Sequence, residues 1–304
     1  GLMDPHFHIE STSLNVTQLV RLIVPRGVTT VIEDPHEIAN VLGKAGIEAM
    51  FLEAKDLPIN FLLRVPGVVP AIGNIETTGG SLSIEETKTL LDRDDTAALA
   101  GDINPGLILS RDDIHYQKIN YAVEKGITIG GQSPQLSGKA LDAFVAGGPE
   151  DSHVSMDTAE VLDILRHGLY ATVTPRPFLF GISDFPILAK YIKDSGIDTR
   201  KIVFCTDDRQ ANLLTKDGHQ DYLVRLAIKS GIDKIRAIQM ATLNVAENYR
   251  LDRNFGSITA GKFADIIFIS DLDNFVVEST MFHGRIVAAN QELIIELPEY
   301  KYPS

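Results

Sequence analysis

Two imidazoles one residue apart, His6 and His8 in PHFHIEST, are the first groups in the chain whose types and spacing could do chemistry. On a β-strand, residues two apart point to the same side, so the pair could close on one divalent cation of borderline softness. An H-x-H pair alone is a weak signal, and the same residues could be the ragged polar start of a chain. The other candidate strand ends add weight. They offer Glu33, Asp34, His36 and Glu37 in VIEDPHE, Asp102 and Asn104 in GDINPG, and Gln132 in GGQS. Further on come His153 in DSHV, then Asp207 and Asp208 in FCTDD. An Asp at the last strand end could complete a metal shell or serve as a base.

Plainer roles compete at each position. EDPHE also reads as a turn, since Pro35 fixes the backbone and Asp34 can bond the following amides, with His36 only orienting its neighbours. In a regular strand Asp208 points away from Asp207. Cys205 reads as a small core residue and His115, in RDDIHYQK, as part of a solvated helix face. His167 suits a helix end, where an imidazole interacts favourably with the dipole. His219 and His283, each near Gly, read as structural.

The elements that must position these groups alternate between short β-branched runs and longer helical segments. Strands are expected at Val28–Asp34, Phe61–Gly67, Ala98–Asn104, Gly126–Gly131, Tyr170–Pro175 and Ile202–Asp207, each apolar and bounded by Gly, Pro or Asp. Helices are expected at Asn15–Pro25, Ile38–Ala54, Ile84–Asp92, Asp112–Lys125, Leu136–Ala146, Thr158–His167 and Phe185–Ser195, with Ser137 and Asp157 as cap residues. With a first strand before His6 and a weak one at Asp151–Val154, the pattern is eight β/α units. That predicts an α/β fold, a closed (β/α)8 TIM-like barrel, over residues 1–254. A doubly wound sheet is disfavoured because no G-x-G-x-x-G follows the first strand. From residue 255 to 304, GSITAGKFADIIFI and GRIVAAN are Gly-punctuated strands without helices, expected to form part of a small β-sandwich appendage.

Composition narrows the function classes. A net charge of −13, with no offsetting basic patch, argues against nucleic acid. No apolar run is long enough to span a bilayer. The single cysteine precludes an internal disulfide and fits a reducing cytoplasm. The chain begins at Gly1 rather than Met, immediately before the candidate site, so it is expected to be a piece of a longer chain.

The blocks PHFHIEST, RGVTTVIEDPHEIANVLG, FCTDDRQANLLTKDGHQD, QMATLNVAENYRL and GSITAGKFADIIFISDL together resemble the bacterial and archaeal adenine deaminases of the amidohydrolase superfamily. The resemblance runs along nearly the whole chain and implies that the barrel is of the metal-dependent hydrolase type. It implies hydrolysis of adenine to hypoxanthine and ammonia with one or two divalent ions (Mn²⁺, Fe²⁺ or Zn²⁺) held by His6, His8, Asp102, His153 and Asp207. Asp207 would move the proton of the attacking water, His153 would stabilise developing charge, and Glu37 would assist. Asp34, His36, Gln132 and Asp208 would shape the base pocket. The implied partner is a small-molecule purine base, with neither nucleic acid nor membrane, and the expected assembly is a cytoplasmic homo-oligomer.

Two ligand positions depart from the family. Asp102 stands where the family has Glu, and Gln132 where it has His; Val154 also replaces the Glu that follows the His153 position. A neutral amide is a poor ligand for a transition metal, and a shortened acid is less able to bridge ions about 3.5–4 Å apart. The position made by His6, His8 and Asp207 is therefore expected to survive better than the second. Opening of another cyclic amide is the competing reaction, weakened by the absence of a lysine in ALAGDINPG. A catalytically impaired paralogue that only binds ligand is the non-enzymatic alternative.

Overall fold

A computed structural model describes residues 1–71, 75–100, 105–175 and 182–302. Its short apolar runs form eight strands: β1 (Leu2–Phe7), β2 (Val28–Glu33), β3 (Asn60–Val65), β4 (Thr96–Leu99), β5 (Thr128–Ile129), β6 (Asp151–Ser152), β7 (Tyr170–Val173) and β8 (Ile202–Phe204). All neighbouring pairs are parallel, β1 to β5 in one run and β6 to β8 in another. Two seams join the runs into a ring. Glu150 N–H donates to Ile129 O at 2.8 Å and His153 N–H to Gly131 O at 3.3 Å, tying β5 to β6. Asp207 N–H donates to His6 O at 3.1 Å, and Phe7 bridges Asp207 in parallel, tying β8 to β1. The result is the expected (β/α)8 barrel.

Burial follows from that closure. Phe7, Val28, Val31 and Leu63 pack outward against helix residues such as Leu19 and Val20. Met3, Ile32, Ala98 and Val203 pack together with Val245 and Tyr249 around the helix Leu243–Asn248. The expected strand Ala98–Asn104 is regular only to Leu99; residues 101–104, and so Asp102, lie outside the described residues.

Helix boundaries carry one difference that matters for the site. A single helix is expected over Ile38–Ala54, but there are two, His36–Leu42 and Lys44–Ala54. Gly43 separates them at φ 60°, where a side chain's Cβ would lie 2.9 Å from Ser81 O. Left-handed backbone and close approach both favour glycine there. His36 and Glu37 therefore occupy the first turn of a short helix at the barrel rim. Four helices between β8 and the appendage (Ala211–Lys216, Gln220–Lys229, Lys234–Met240, Leu243–Asn248) were not delimited by periodicity.

The C-terminal part is an antiparallel sheet of β9 (Ile266–Ile269), β10 (Val277–Phe282), β11 (Arg285–Ala289) and β12 (Glu292–Leu293), in the order β12-β11-β10-β9. Its Phe275, Val277, Val287 and Ala288 join the same core as the outer barrel face. Among the described residues no helix is long and apolar enough to cross a membrane.

Candidate metal centre

The barrel brings three donors to one point where β8 meets β1. His6 Nε2 lies 3.0 Å from His8 Nε2, and Asp207 Oδ1 lies 3.8 Å from the first and 3.6 Å from the second. Bonds of about 2.0–2.1 Å at tetrahedral angles place ligand atoms about 3.3 Å apart, so this triangle fits a divalent ion with one face left open. All three residues are buried. Two imidazole nitrogens packed this closely have no favourable use without a proton or a cation between them. The donor set therefore fits the group that the sequence implies.

The hydrogen bonds around the triangle set the tautomers. His8 Nδ1 lies 2.8 Å from Asp34 O, a carbonyl that can only accept, so Nδ1 carries the hydrogen and Nε2 is left for a metal. His153 repeats the arrangement: its Nδ1 donates to Gly131 O at 3.1 Å, and its ring stacks on His6 with centroids 4.0 Å apart. Burial, then the neighbouring His153 and His8, push the His6 pKa well below its ordinary value. Burial opposes protonation of His8 as well, but Glu37, Asp207 and Asp34 outweigh it and raise its pKa well above the ordinary value.

Asp207 reaches the triangle through a left-handed backbone, φ 53°, which Asp tolerates better than most residues. Asp208 turns away and accepts a hydrogen bond from Ser11 Oγ. Asp34 is fully buried behind His6, with Oδ2 4.0 Å from His6 Nδ1 and 3.9 Å from Arg64 Nε. His36 meets the His8 ring edge-on at 4.7 Å, and its Nε2 is 3.7 Å from Glu37 Oε1. Glu37 is partly exposed; burial works against its charge, but His8 and His36 hold its pKa below the ordinary range. Gln132 follows Gly131 at the end of β5 and is partly buried.

A second group of metal-type donors, His8, His36 and Glu37, shares His8 with the first. Glu37 Oε2 approaches His8 on its Nδ1 side, at 3.5 Å. That nitrogen already donates to Asp34 O, so this group cannot take an ion without giving up the tautomer that serves the triangle.

The amidohydrolase family model matches residues 1–287. The chain belongs to the amidohydrolase family. Along its whole length it is 38% identical to "Adenine deaminase 3" of Rhizobium meliloti (strain 1021) and 36% identical to an adenine deaminase of Desulforamulus reducens. It spans about half the length of these curated relatives, 51% in each case. Among solved structures, an adenosine deaminase from Xanthomonas campestris with bound zinc superposes with a TM-score of 0.62 at 17% identity, covering 97% of this chain and 81% of that one. Atrazine chlorohydrolase TrzN from Arthrobacter aurescens TC1, complexed with zinc, gives 0.64 at 14% identity, covering 97% and 84%. These two likenesses support the amidohydrolase barrel fold.

Two buried residues around the centre, Asp4 and Arg64, escaped the reading of the sequence, and a third, His219, reads there only as structural. Asp4 and His219 face one another at 3.3 Å beneath the β8–β1 seam. Arg64 is the largest fully buried side chain. The available signal for Arg64 was a lone cation among the apolar residues that follow Asn60 in the strand NFLLRV. His115 is also buried, not on a solvated helix face as expected.

Proposed function

We propose that this amidohydrolase deaminates adenine, taking a water molecule and releasing hypoxanthine and ammonia. The observation that carries the reading is the His6–His8–Asp207 triangle in a chain similar along its full length to adenine deaminases. One divalent ion, held by these three residues, would supply Lewis acidity and bring the pKa of a water toward neutrality. Asp207 would accept the water's proton at its carboxylate and return it to the departing amine, keeping the proton within the site. His153, whose Nδ1 donates to Gly131 O, would stabilise developing charge on the substrate ring through Nε2 once that nitrogen is protonated as well. Glu37 and His36 stand at the open edge, where they would meet the base, while Asp34 supports His6 from behind.

The centre is proposed to hold one ion rather than two. Gln132 offers a neutral amide where the family has an imidazole, and the only other three-donor group among the described residues competes for His8. Metal analysis of the natural full-length protein should give one tightly held ion per chain, and Gln132→His should raise the count toward two. A count of two in the unmodified protein would overturn the one-ion assignment. Ammonia release from adenine in the presence of Mn²⁺, Fe²⁺ or Zn²⁺ tests the reaction itself, and no turnover by the metal-loaded protein would sink it. A chain with a single cysteine, the buried Cys205, supports a reducing, cytoplasmic setting.

A further inference from the structure

His6 belongs to β1, His8 follows the end of that strand by one residue and Asp207 lies just beyond β8, so the shape of the triangle depends on how the first and last strands are registered. Among the described residues, direct backbone pairing across this seam consists of one hydrogen bond, Asp207 N–H to His6 O, and one bridge. Regular β8 ends at Phe204, three residues short of Asp207, and Asp207 itself is left-handed. A non-glycine residue in that conformation persists only where its surroundings over-determine it.

The over-determination comes from the Asp4 carboxylate. Its Oδ1 accepts from His6 N–H at 3.3 Å, two residues along β1. Its Oδ2 accepts from the Thr206 hydroxyl at 2.6 Å, and Thr206 N–H approaches both oxygens at 3.3–3.4 Å. One carboxylate thus grips the backbone at one donor, His6, and the residue immediately before another, Asp207. His219 closes the far side, with Nε2 3.3 Å from Asp4 Oδ2 and 3.1 Å from Thr206 Oγ1. The Thr206 hydroxyl spends its only hydrogen on Asp4, and a carboxylate only accepts, so His219 Nε2 must carry the hydrogen that both face.

His219 is itself fixed. Its N–H donates to Asp221 Oδ1 at 2.7 Å, its ring meets Phe7 edge-on at 5.0 Å, and Arg209 Nε donates to the preceding Gly218 O at 2.7 Å. Arg209 N–H returns to Asp207 O at 2.9 Å, which completes a ring of contacts from Asp207 round to His6. Asp4 and His219 have no exposed surface, so neither can touch a substrate.

We propose that Asp4, with His219 acting through it, is a positioning residue that sets the spacing between His6 and His8, at the end of β1, and Asp207, and so the affinity of the centre for its ion. This rests on the assignment of His6, His8 and Asp207 as metal donors. Groups that orient metal ligands typically contribute 10- to 100-fold in affinity, and an effect of that size is expected here.

The test is Zn²⁺ affinity by chelator competition, with the visible spectrum of the Co²⁺-substituted protein as a geometric readout, on the full-length chain. Asp4→Asn turns an amide N–H₂ toward existing donors and should weaken Zn²⁺ binding 10- to 100-fold while altering the Co²⁺ spectrum. His219→Leu removes the donor and should do the same. His219→Gln, which can return an N–H to Asp4, should recover most of the affinity and the spectrum. The His219 pair keeps the test decisive where Asp4→Asn fails to fold. A merely structural role would lower the unfolding temperature of all three variants while leaving the affinity and spectrum of the folded protein unchanged, and that result overturns the proposal. An unmodified protein that binds no ion at the triangle overturns the metal assignment together with it.

Discussion

Arg64 makes contacts to three separate parts of the chain: Nη2 is 3.1 Å from Asp151 Oδ1 on β6, Nη1 is 3.4 Å from Pro5 O on β1 and also donates to the Tyr249 hydroxyl. A β3 side chain that reaches β1 and β6 together must cross the barrel interior. Burial disfavours its charge, but Asp151, Tyr249 and Asp34 more than offset this and raise its pKa above the ordinary value. Gly130 makes the room, since a Cβ there would lie 1.7 Å from Nη2. Removing one partner of a buried pair typically costs about 3–5 kcal/mol, because the other charge is stranded. Arg64→Met should therefore destabilise the protein by about that amount in urea unfolding. Arg64→Met combined with Asp151→Asn should be less destabilised than the two single effects added. Strict additivity would show that the pair is not coupled. The residues that could be read from the sequence were those whose chemistry shows in spacing: H-x-H, and an acid at the last strand end. Asp4 and Arg64 could not be read, and His219 read only as structural, because each takes its role from partners distant in the chain, 202 residues apart for Asp4 and Thr206.

The helix Asp113–Lys125 shows the same limit at the scale of an element. Its existence was legible as a helical segment over Asp112–Lys125; in the structure Asp112 caps it by accepting His115 N–H at 2.8 Å. Its buried face was not legible, because the stripe reads His115, Lys118, Ile119 and Ala122, with two polar residues leading it. Lys118 is tolerated because Nζ donates to Gly67 O at 3.0 Å. Burial, and then Lys118, lower the His115 pKa from 6.5 to about 4. Above pH 6.5 the imidazole is neutral in both folded and unfolded chains, and below about 4 it is protonated in both. Between those values the unfolded chain binds the extra proton, so stability falls as the pH is lowered through that window. His115→Leu should remove this component. Urea midpoints measured at pH 7 and pH 5 should fall less in the variant than in the unmodified protein, and parallel losses would contradict the assignment. The break at Gly43 is a similar case: a helical pattern runs through it, and only the approach of Ser81 explains why the chain turns.

For the whole molecule, the alternation of strands and helices was enough to predict a closed barrel followed by a β-rich appendage, because eight repeats of one pattern and then its abrupt loss are visible in one dimension. How the sheet attaches was not visible. Thr280 Oγ1 donates to Val24 O at 2.8 Å, and Gly27, at φ 92°, leaves space for Ile267 and Val277, which a Cβ would meet at 2.9 and 3.2 Å. Asn60, at the start of β3, donates to Asp265 Oδ2 at 2.7 Å and accepts from His283 Nε2 at 3.1 Å, so one amide holds both ends of the appendage's first hairpin against the barrel. With Phe275, Val277, Val287 and Ala288 in the barrel's own core, opening the sheet would expose apolar surface on the outer barrel face as well. Cooperative units are defined by such shared burial, so β9 to β11 and β1 to β3 should open together. Native-state hydrogen exchange should give the protected amides of both sets the same opening free energy. Asn60→Ala should lower both by a common amount of about 1–2 kcal/mol, the cost of stranding two hydrogen-bonding partners. Appendage amides that exchange at a distinctly lower free energy, with β1 to β3 unaffected by Asn60→Ala, would mean that the sheet is a separate unit resting on the barrel.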